Sequence, residues 1–361
     1  MAGSEVDDNT LYGKNAGSLI TTSANNNTFV GYEAGYAGAT ANNNSFFGYQ
    51  AGWNDDTGND NVFIGYQAGY NNTGGSSNNF MGYQAGYSNK SGTRNNFIGY
   101  QAGYKNTTGS SNTFLGDYTG YNNTIGNNNT FIGDATGYNN TDGDYNSFIG
   151  AGAGIQNNTG EKNSFLGFQA GNSNTSGSNN TFIGYSAGFY NKTGTGNVFL
   201  GYNAGKNETG SNKLYISNSD TATPLIYGDF SAGRVVVNGK IILQSSREVK
   251  DDIEALDRQE ALDALEGLRP VTFVYKADRT ERHAGFIAED VPDLVATRDR
   301  KGVSPMDIVT VLTKVVQEQQ GRIREQQGLI MEQRKAAEEQ RDINAALYEK
   351  IARLERLLAS K

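Results

Sequence analysis

Through its first two hundred residues the chain sets an apolar pair into a polar background at a constant interval. The first member of the pair is always Phe: Phe29, Phe46, Phe63, Phe80, Phe97, Phe114, Phe131, Phe148, Phe165, Phe182 and Phe199, each 17 residues after the last with no insertion. An imperfect copy, LYGKNAG from Leu11, precedes the series. A short fixed period of this kind predicts the stacked coils of a solenoid, in which no unit folds alone. Seventeen residues are too few for the βα or αα units of most repeat proteins, and the Asn, Thr, Gly and Ser around the pair favour turns over helix. The coil is therefore expected to be β, with the Thr-Phe-Ile-Gly-Tyr type of segment as its main strand. Adjacent residues of a strand point to opposite faces. Phe can fill the inside of the coil, and the Ile, Leu, Val or Met after it then forms an outer column about 50 Å long at about 4.8 Å per coil. Such a stripe is too apolar to leave in water, which predicts that other copies of the chain cover it. The Gly after the pair (Gly31, Gly65, Gly99, Gly184) and the Gly that closes the QAG turn (Gly69, Gly86, Gly103) are expected where φ is positive or two backbones approach closely.

Beyond Phe199 the pattern changes twice. NKLYISNS followed by TPLIYGDFSAGRVVVNGKIIL reads as a closing coil and then a hairpin, with a two-residue I′ turn at Asn238 and Gly239 between VVV and KII. From Val309 onward a heptad holds, with Val309, Val316, Ile323, Ile330, Ala337, Asn344, Ile351 and Leu358 at a, and Leu312, Gln319, Gln326, Gln333, Gln340, Leu347 and Leu354 at d. This predicts a coiled coil whose helix runs about 75 Å. Gly321 and Gly328 fall at the exposed f position, where each costs only about 1 kcal/mol of helix propensity. The run of Gln layers at d favours one register and one copy number at some expense in stability. Ile at a with Leu at d leans towards two strands, so the heptads alone leave dimer and trimer open.

Composition narrows the function classes. The 361 residues include no Cys and one His, with a formal net charge of −8. Disulfides and thiol chemistry are excluded, Cys/His metal sites and most His-based catalysis are disfavoured, and no cofactor is expected. The acidic balance and the sparse Lys and Arg of the repeats argue against nucleic acid as a partner. No apolar run approaches the roughly 20 residues of a membrane span, so membrane insertion is not expected. The start, MAGSEVDDNT, is polar and acidic, unlike a secretory signal. Residues 1–240 hold 42 of the 47 Gly and 19 of the 21 Tyr, whereas 43 charged side chains crowd into residues 241–361 against 25 before them. That step marks a domain boundary. The expected fold class is mainly β: a repeat shaft over 1–210, a β cap over 211–244, a small α+β domain over 245–307, and the coiled coil over 308–361.

Several isolated candidates read as structural. His283, beside Glu281 and not far from Glu289, sits at a strand edge and is expected to pack. Glu289 and Asp290, ahead of Val291 and Pro292, suit a helix start or turn. The shaft carboxylates Asp117, Asp134 and Asp144 do not recur as an acidic pair, which argues against a polysaccharide-degrading spike. The recurring tyrosines suit packing along the shaft more than stacking on sugars.

The repeats resemble the β-roll heads of trimeric autotransporter adhesins and the shafts of phage tail fibres, over about residues 10 to 210. A second resemblance rests on three pieces in order: Ser245, Lys250 and Ile253; the L-x-P-V-x-F-x-Y element from Leu268 to Tyr275; and GFIAE from Gly285 to Glu289. Together they are similar to the C-terminal intramolecular chaperone of endosialidase tail spikes and many phage fibres, over about residues 243 to 320. That family trims itself off with a serine–lysine dyad. The resemblance implies a cut between Gln244 and Ser245, Ser245 as nucleophile, Lys250 as base, and a homotrimer. It also implies a fibre on a phage tail or similar appendage, made in the cytoplasm without a signal peptide. Its tip, near residues 211–244, is expected to meet a cell-surface receptor or polysaccharide. Any peptidase activity acts once, on the chain itself, with no turnover. The chemistry agrees: a Ser hydroxyl needs a base to take its proton, and Lys serves only where burial leaves it neutral. Lys250 lies five residues after Ser245, a spacing that suits a tight strand-to-helix bend. A bacterial trimeric surface adhesin with a non-cleaving chaperone, and an ice-binding solenoid, remain as alternatives. Identical coils leave register ambiguous, since a slip of 17 residues satisfies nearly every contact, and a non-repeating C-terminal module that aligns the chain ends removes the ambiguity.

Overall fold

The computed structural model describes residues 8–242, 245–276 and 279–359. The chain divides into two units, residues 1–242 and 243–361.

The first unit is mainly β. Strand β1 (Thr10–Tyr12) is followed by β2 to β12, three-residue strands from Thr28–Val30 to Val198–Leu200, each running from the residue before a repeat Phe to the residue after it. Each strand pairs in parallel with the next, Phe opposite Phe, giving a β-solenoid of about twelve turns. The phenylalanines lie inside, at most 1% exposed, and their rings stack nearly parallel at centroid distances from 4.6 to 4.9 Å. Coil spacing and ring spacing thus coincide. Glycine is required at two points per coil. Gly99 has φ +138°, and a Cβ there would lie 2.3 Å from the carbonyl oxygen of Gly116; Gly103 has φ +60°, and a Cβ there would lie 2.5 Å from the Phe97 ring.

The asparagines do more than make turns. The residue two before each repeat Phe is Asn in all eleven coils, from Asn27 to Asn197, and every one is buried. Asn112 shows the pattern: its backbone N–H donates to Asn95 Oδ1 at 3.0 Å, its Nδ2 to the Gly126 carbonyl at 2.8 Å, and its own Oδ1 accepts the Asn129 N–H at 3.0 Å. A second buried column runs from Asn72 to Asn191, in which Asn106 Nδ2 donates to Asn89 Oδ1 at 2.7 Å and to the Gly109 carbonyl at 2.9 Å. These amides satisfy the backbone groups that a coil with one short strand leaves unpaired in its interior.

Outside, the residue after each Phe forms the expected column and stays about half exposed, for example Ile64 at 37%, Leu115 at 43% and Leu166 at 46%. Two residues further on, Tyr32, Tyr49, Tyr66, Tyr83 and Tyr100 stack on one another at 5.0 to 5.1 Å. Asp117, Asp134 and Ala151 interrupt this ladder before Phe168 and Tyr185 resume it. A second ladder runs from Tyr36 through Trp53 to Tyr138.

The solenoid is closed by β13 (Lys213–Ile216), parallel to β12, then β14 (Ile226–Asp229) and β15 (Arg234–Val237), both antiparallel to their predecessors. Lys213 Nζ and Asp229 Oδ2, 2.6 Å apart, tie β13 to β14. The expected hairpin is misplaced by the sequence reading. Its turn lies between β14 and β15, where the Asp229 carboxylate accepts the N–H groups of Ser231 and Ala232 and Gly233 takes φ +60°. Asn238 instead donates its backbone N–H to Leu225 and its side-chain amide to Pro224, neither it nor Gly239 has positive φ, and KII forms no strand among the described residues.

In the second unit, Asp257 caps α1 (Arg258–Gly267), and the N–H groups of Glu260 and Gln259 hold its carboxyl below the ordinary range. Strands β16 (Val271–Phe273) and β17 (His283–Gly285) pair antiparallel. Ser304 caps α2 (Pro305–Leu358), a helix of 54 residues and so about 81 Å long. A small core gathers Ala264 of α1, Val291, Val295 and Val311 of α2, with Leu265, Leu268, Phe286 and Ile308 against it. Only Val311 and Val315 of α2 are buried, and neither is an a or d position. The heptad residues Val309, Val316, Ile323, Ile330, Leu347 and Ile351 are all exposed.

Candidate functional site

The site is made by one turn of chain at the start of the second unit. Ser246 Oγ accepts the Glu248 N–H at 3.2 Å and so caps a single 3-10 turn, Arg247–Val249, after which Lys250 returns to an extended backbone. The turn folds Lys250 back towards the serine that precedes the cap. Lys250 Nζ donates to Ser245 Oγ at 2.6 Å. A single 3-10 turn, not the strand-to-helix bend expected from their spacing, brings the two side chains together. Both side chains are exposed in the single chain. Gln244, on the other side of the expected cut, lies outside the described residues, and Ile253 is exposed rather than part of the core.

The other two motif pieces meet each other. Val271 pairs with Gly285 and Phe273 with His283, so the L-x-P-V-x-F-x-Y element supplies one strand of a small sheet, the GFIAE segment starts at the last residue of the other, and Phe286 packs against the small core. His283 packs against aromatic rings, 5.9 Å from Phe273 and 5.2 Å from Tyr275. Glu289 and Asp290 lie in a turn, as expected. Arg300, which sequence reasoning did not single out, secures that turn by donating to the carbonyls of Glu289 at 2.9 Å and Val291 at 2.8 Å while pairing with Asp293. Among the described residues no group of three or more His, Cys, Asp or Glu side chains is placed to hold a metal ion, and no helix is long and apolar enough to cross a membrane.

One titratable group in the shaft also escaped the sequence reading. Asp55 is fully buried at the head of the second amide column; burial pushes its carboxyl well above the ordinary range. Its Oδ1 accepts Asn72 Nδ2 at 2.8 Å and the Gly58 N–H at 3.1 Å, while Oδ2 has no partner. The signal was an Asp in a column of asparagines.

No curated protein and no solved structure matches the chain. Residues 245–297 match the model of a family described as chaperone of endosialidase, a stretch that opens on Ser245 and contains Lys250, α1 and the two-stranded sheet. By that match this segment is similar to the chaperone-of-endosialidase family, and it follows in sequence a β-solenoid of about twelve turns.

Proposed function

We propose that the protein is a homotrimeric fibre of the phage-tail type, whose C-terminal domain gathers and aligns three chains and then cuts itself off between Gln244 and Ser245. The observation that carries this reading is the order of parts. Coils that are interchangeable by a 17-residue shift are followed by a domain of a chaperone family and by a long helix with an exposed apolar seam. A seam of that kind is the material of a parallel coiled coil, and joining three chains there fixes the register before the repeats pair.

The contact between Lys250 and Ser245 supports the cleavage step. Ser245 is the residue after the bond to be cut, so its Oγ attacks the carbonyl carbon of Gln244 through a five-membered ring. Lys250 takes the hydroxyl proton, the C–N bond breaks, the freed amine of Ser245 receives that proton, and water hydrolyses the ester left on Oγ. A lysine acts as such a base only when shielded from water. Both side chains are exposed in the single chain, so shielding is assigned to neighbouring subunits, which ties the cut to completed assembly. A receptor or surface polysaccharide would be met at the end of the shaft, where a cleft of about 320 Å³ is lined by Lys206, Asn207, Glu208, Tyr215, Asp220 and Thr221.

Intact mass of the freshly expressed chain beside a Ser245→Ala variant tests the dyad. Two fragments summing to the whole chain in the first, and an uncut chain in the second, are expected. An uncut chain in both removes the cleavage step and leaves the assembly role, which sedimentation tests separately.

A further inference from the structure

The apolar column after each phenylalanine is expected to be covered by other copies of the chain, and the solenoid surface shows what surrounds that column. The residues immediately before and after the eleven repeat phenylalanines form two outward columns, and neither contains a charged residue. The first is Thr, Ser, Asn or Val; the second is apolar throughout and about half exposed, including Ile64, Leu115, Leu166 and Ile183. Charge is instead confined to other columns of the coil, as with Lys90, Arg94, Lys105 and Lys162.

The neighbouring tyrosine ladder belongs to the margin of this face rather than its centre. Its rings stack on one another, so their flat faces are already occupied and a partner meets only their edges. The ladder also admits Asp117 and Asp134, and Asp117 Oδ1 accepts the Tyr100 N–H at 2.9 Å, which keeps that carboxylate at the surface. A charge-free apolar centre bordered by aromatic and polar groups is the anatomy of a protein interface. Ten steps of about 4.8 Å by five residues of about 3.3 Å give a strip of roughly 800 Å², close to the area a stable interface takes from each partner. The strip repeats with the coil period, so a surface of the same period, the same strip on another copy, complements it best.

We infer that the strand face of the shaft, centred on the column that follows each phenylalanine, is the surface by which a second copy of this chain docks, with the tyrosine ladder at its rim. This rests on the trimer reading and names the surface within it. Because the chain has no cysteine, single replacements report proximity cleanly. Leu115 and Ile125 belong to the same coil and are similarly exposed, 43% and 48%, but Leu115 is on the strand face and Ile125 on a turn of the coil. The full-length Leu115→Cys and Ile125→Cys variants, each also carrying Ser245→Ala, are sized by sedimentation and treated with a short bis-maleimide. A trimer that cross-links through Cys at 115 and not through Cys at 125 is expected. A trimer that cross-links at 125, or at neither position, overturns the assignment of the face while the trimer stands. A monomer for both variants and for the unsubstituted chain overturns the trimer and, with it, the docking surface.

Discussion

Replacing Asp55 with Asn should strengthen the N-terminal coils, and the gain should depend on pH. In the native chain Oδ2 of Asp55 is buried without a partner, an omission that costs about 1–3 kcal/mol in general. The eight coils that follow hold Asn in this column, and in the first six of them the side-chain nitrogen reaches the carbonyl of the glycine three residues on, as Asn72 reaches Gly75 at 2.8 Å. Asp55→Asn supplies that nitrogen. A second contribution comes from proton linkage. Burial raises the Asp55 carboxyl in the folded chain, and the nearby Asp56 pushes the same way, so the fold binds this proton more tightly than the unfolded chain does. The resulting penalty is absent below about pH 4, grows by about 1.4 kcal/mol per pH unit above it, and levels off once the folded-state carboxyl ionises. Asn carries no such linkage. The advantage of the variant should therefore be clear at pH 7 and shrink towards pH 4. Trp53, the only tryptophan, lies two residues before Asp55, stacked between Tyr36 at 5.4 Å and Tyr70 at 5.2 Å, so its fluorescence during urea unfolding reports these coils directly. Equal urea midpoints at pH 7, or a difference that widens on acidification, would refute the reasoning.

Two further substitutions probe the fold. Phe114→Ala removes one ring from the buried stack between Phe97 and Phe131 and should cost about 3–5 kcal/mol, read as a lower urea midpoint by circular dichroism. Gly99→Ala and Gly321→Ala should have opposite signs. The first places a methyl 2.3 Å from a backbone oxygen at φ +138° and is expected to disrupt the solenoid, whereas the second meets nothing within 4 Å and should add up to about 1 kcal/mol of helix stability, visible as a higher melting temperature of the helical signal.

How much of this was legible varies with the kind of residue. The coil, its single strand, the inward Phe and the two glycines follow from spacing and from the absence of a Cβ, which leave few alternatives. The pairing of Ser245 with Lys250 rests on the family resemblance, not on any local pattern, and a three-residue turn closes the distance between them. The asparagine columns could not be read from residue type, because Asn is as suited to a wet turn as to a buried ladder. Its invariance two residues before every Phe was the available signal. The hairpin was misplaced because Asn-Gly is a strong turn former in isolation. Here the Asp229 carboxylate organised a different turn, and Asn238 was engaged by the backbone of residues 224 and 225.

The regular step of the buried columns bears on how such a solenoid can evolve. Each interior coil offers the coil above and the coil below the same amide, glycine carbonyl and phenyl ring. Duplicating one 17-residue segment between Phe46 and Phe182 would insert a coil whose two new neighbours find the groups they had before, and would extend the shaft by about 4.8 Å. Length is then a heritable quantity set in whole increments, adjustable without redesigning a single joint.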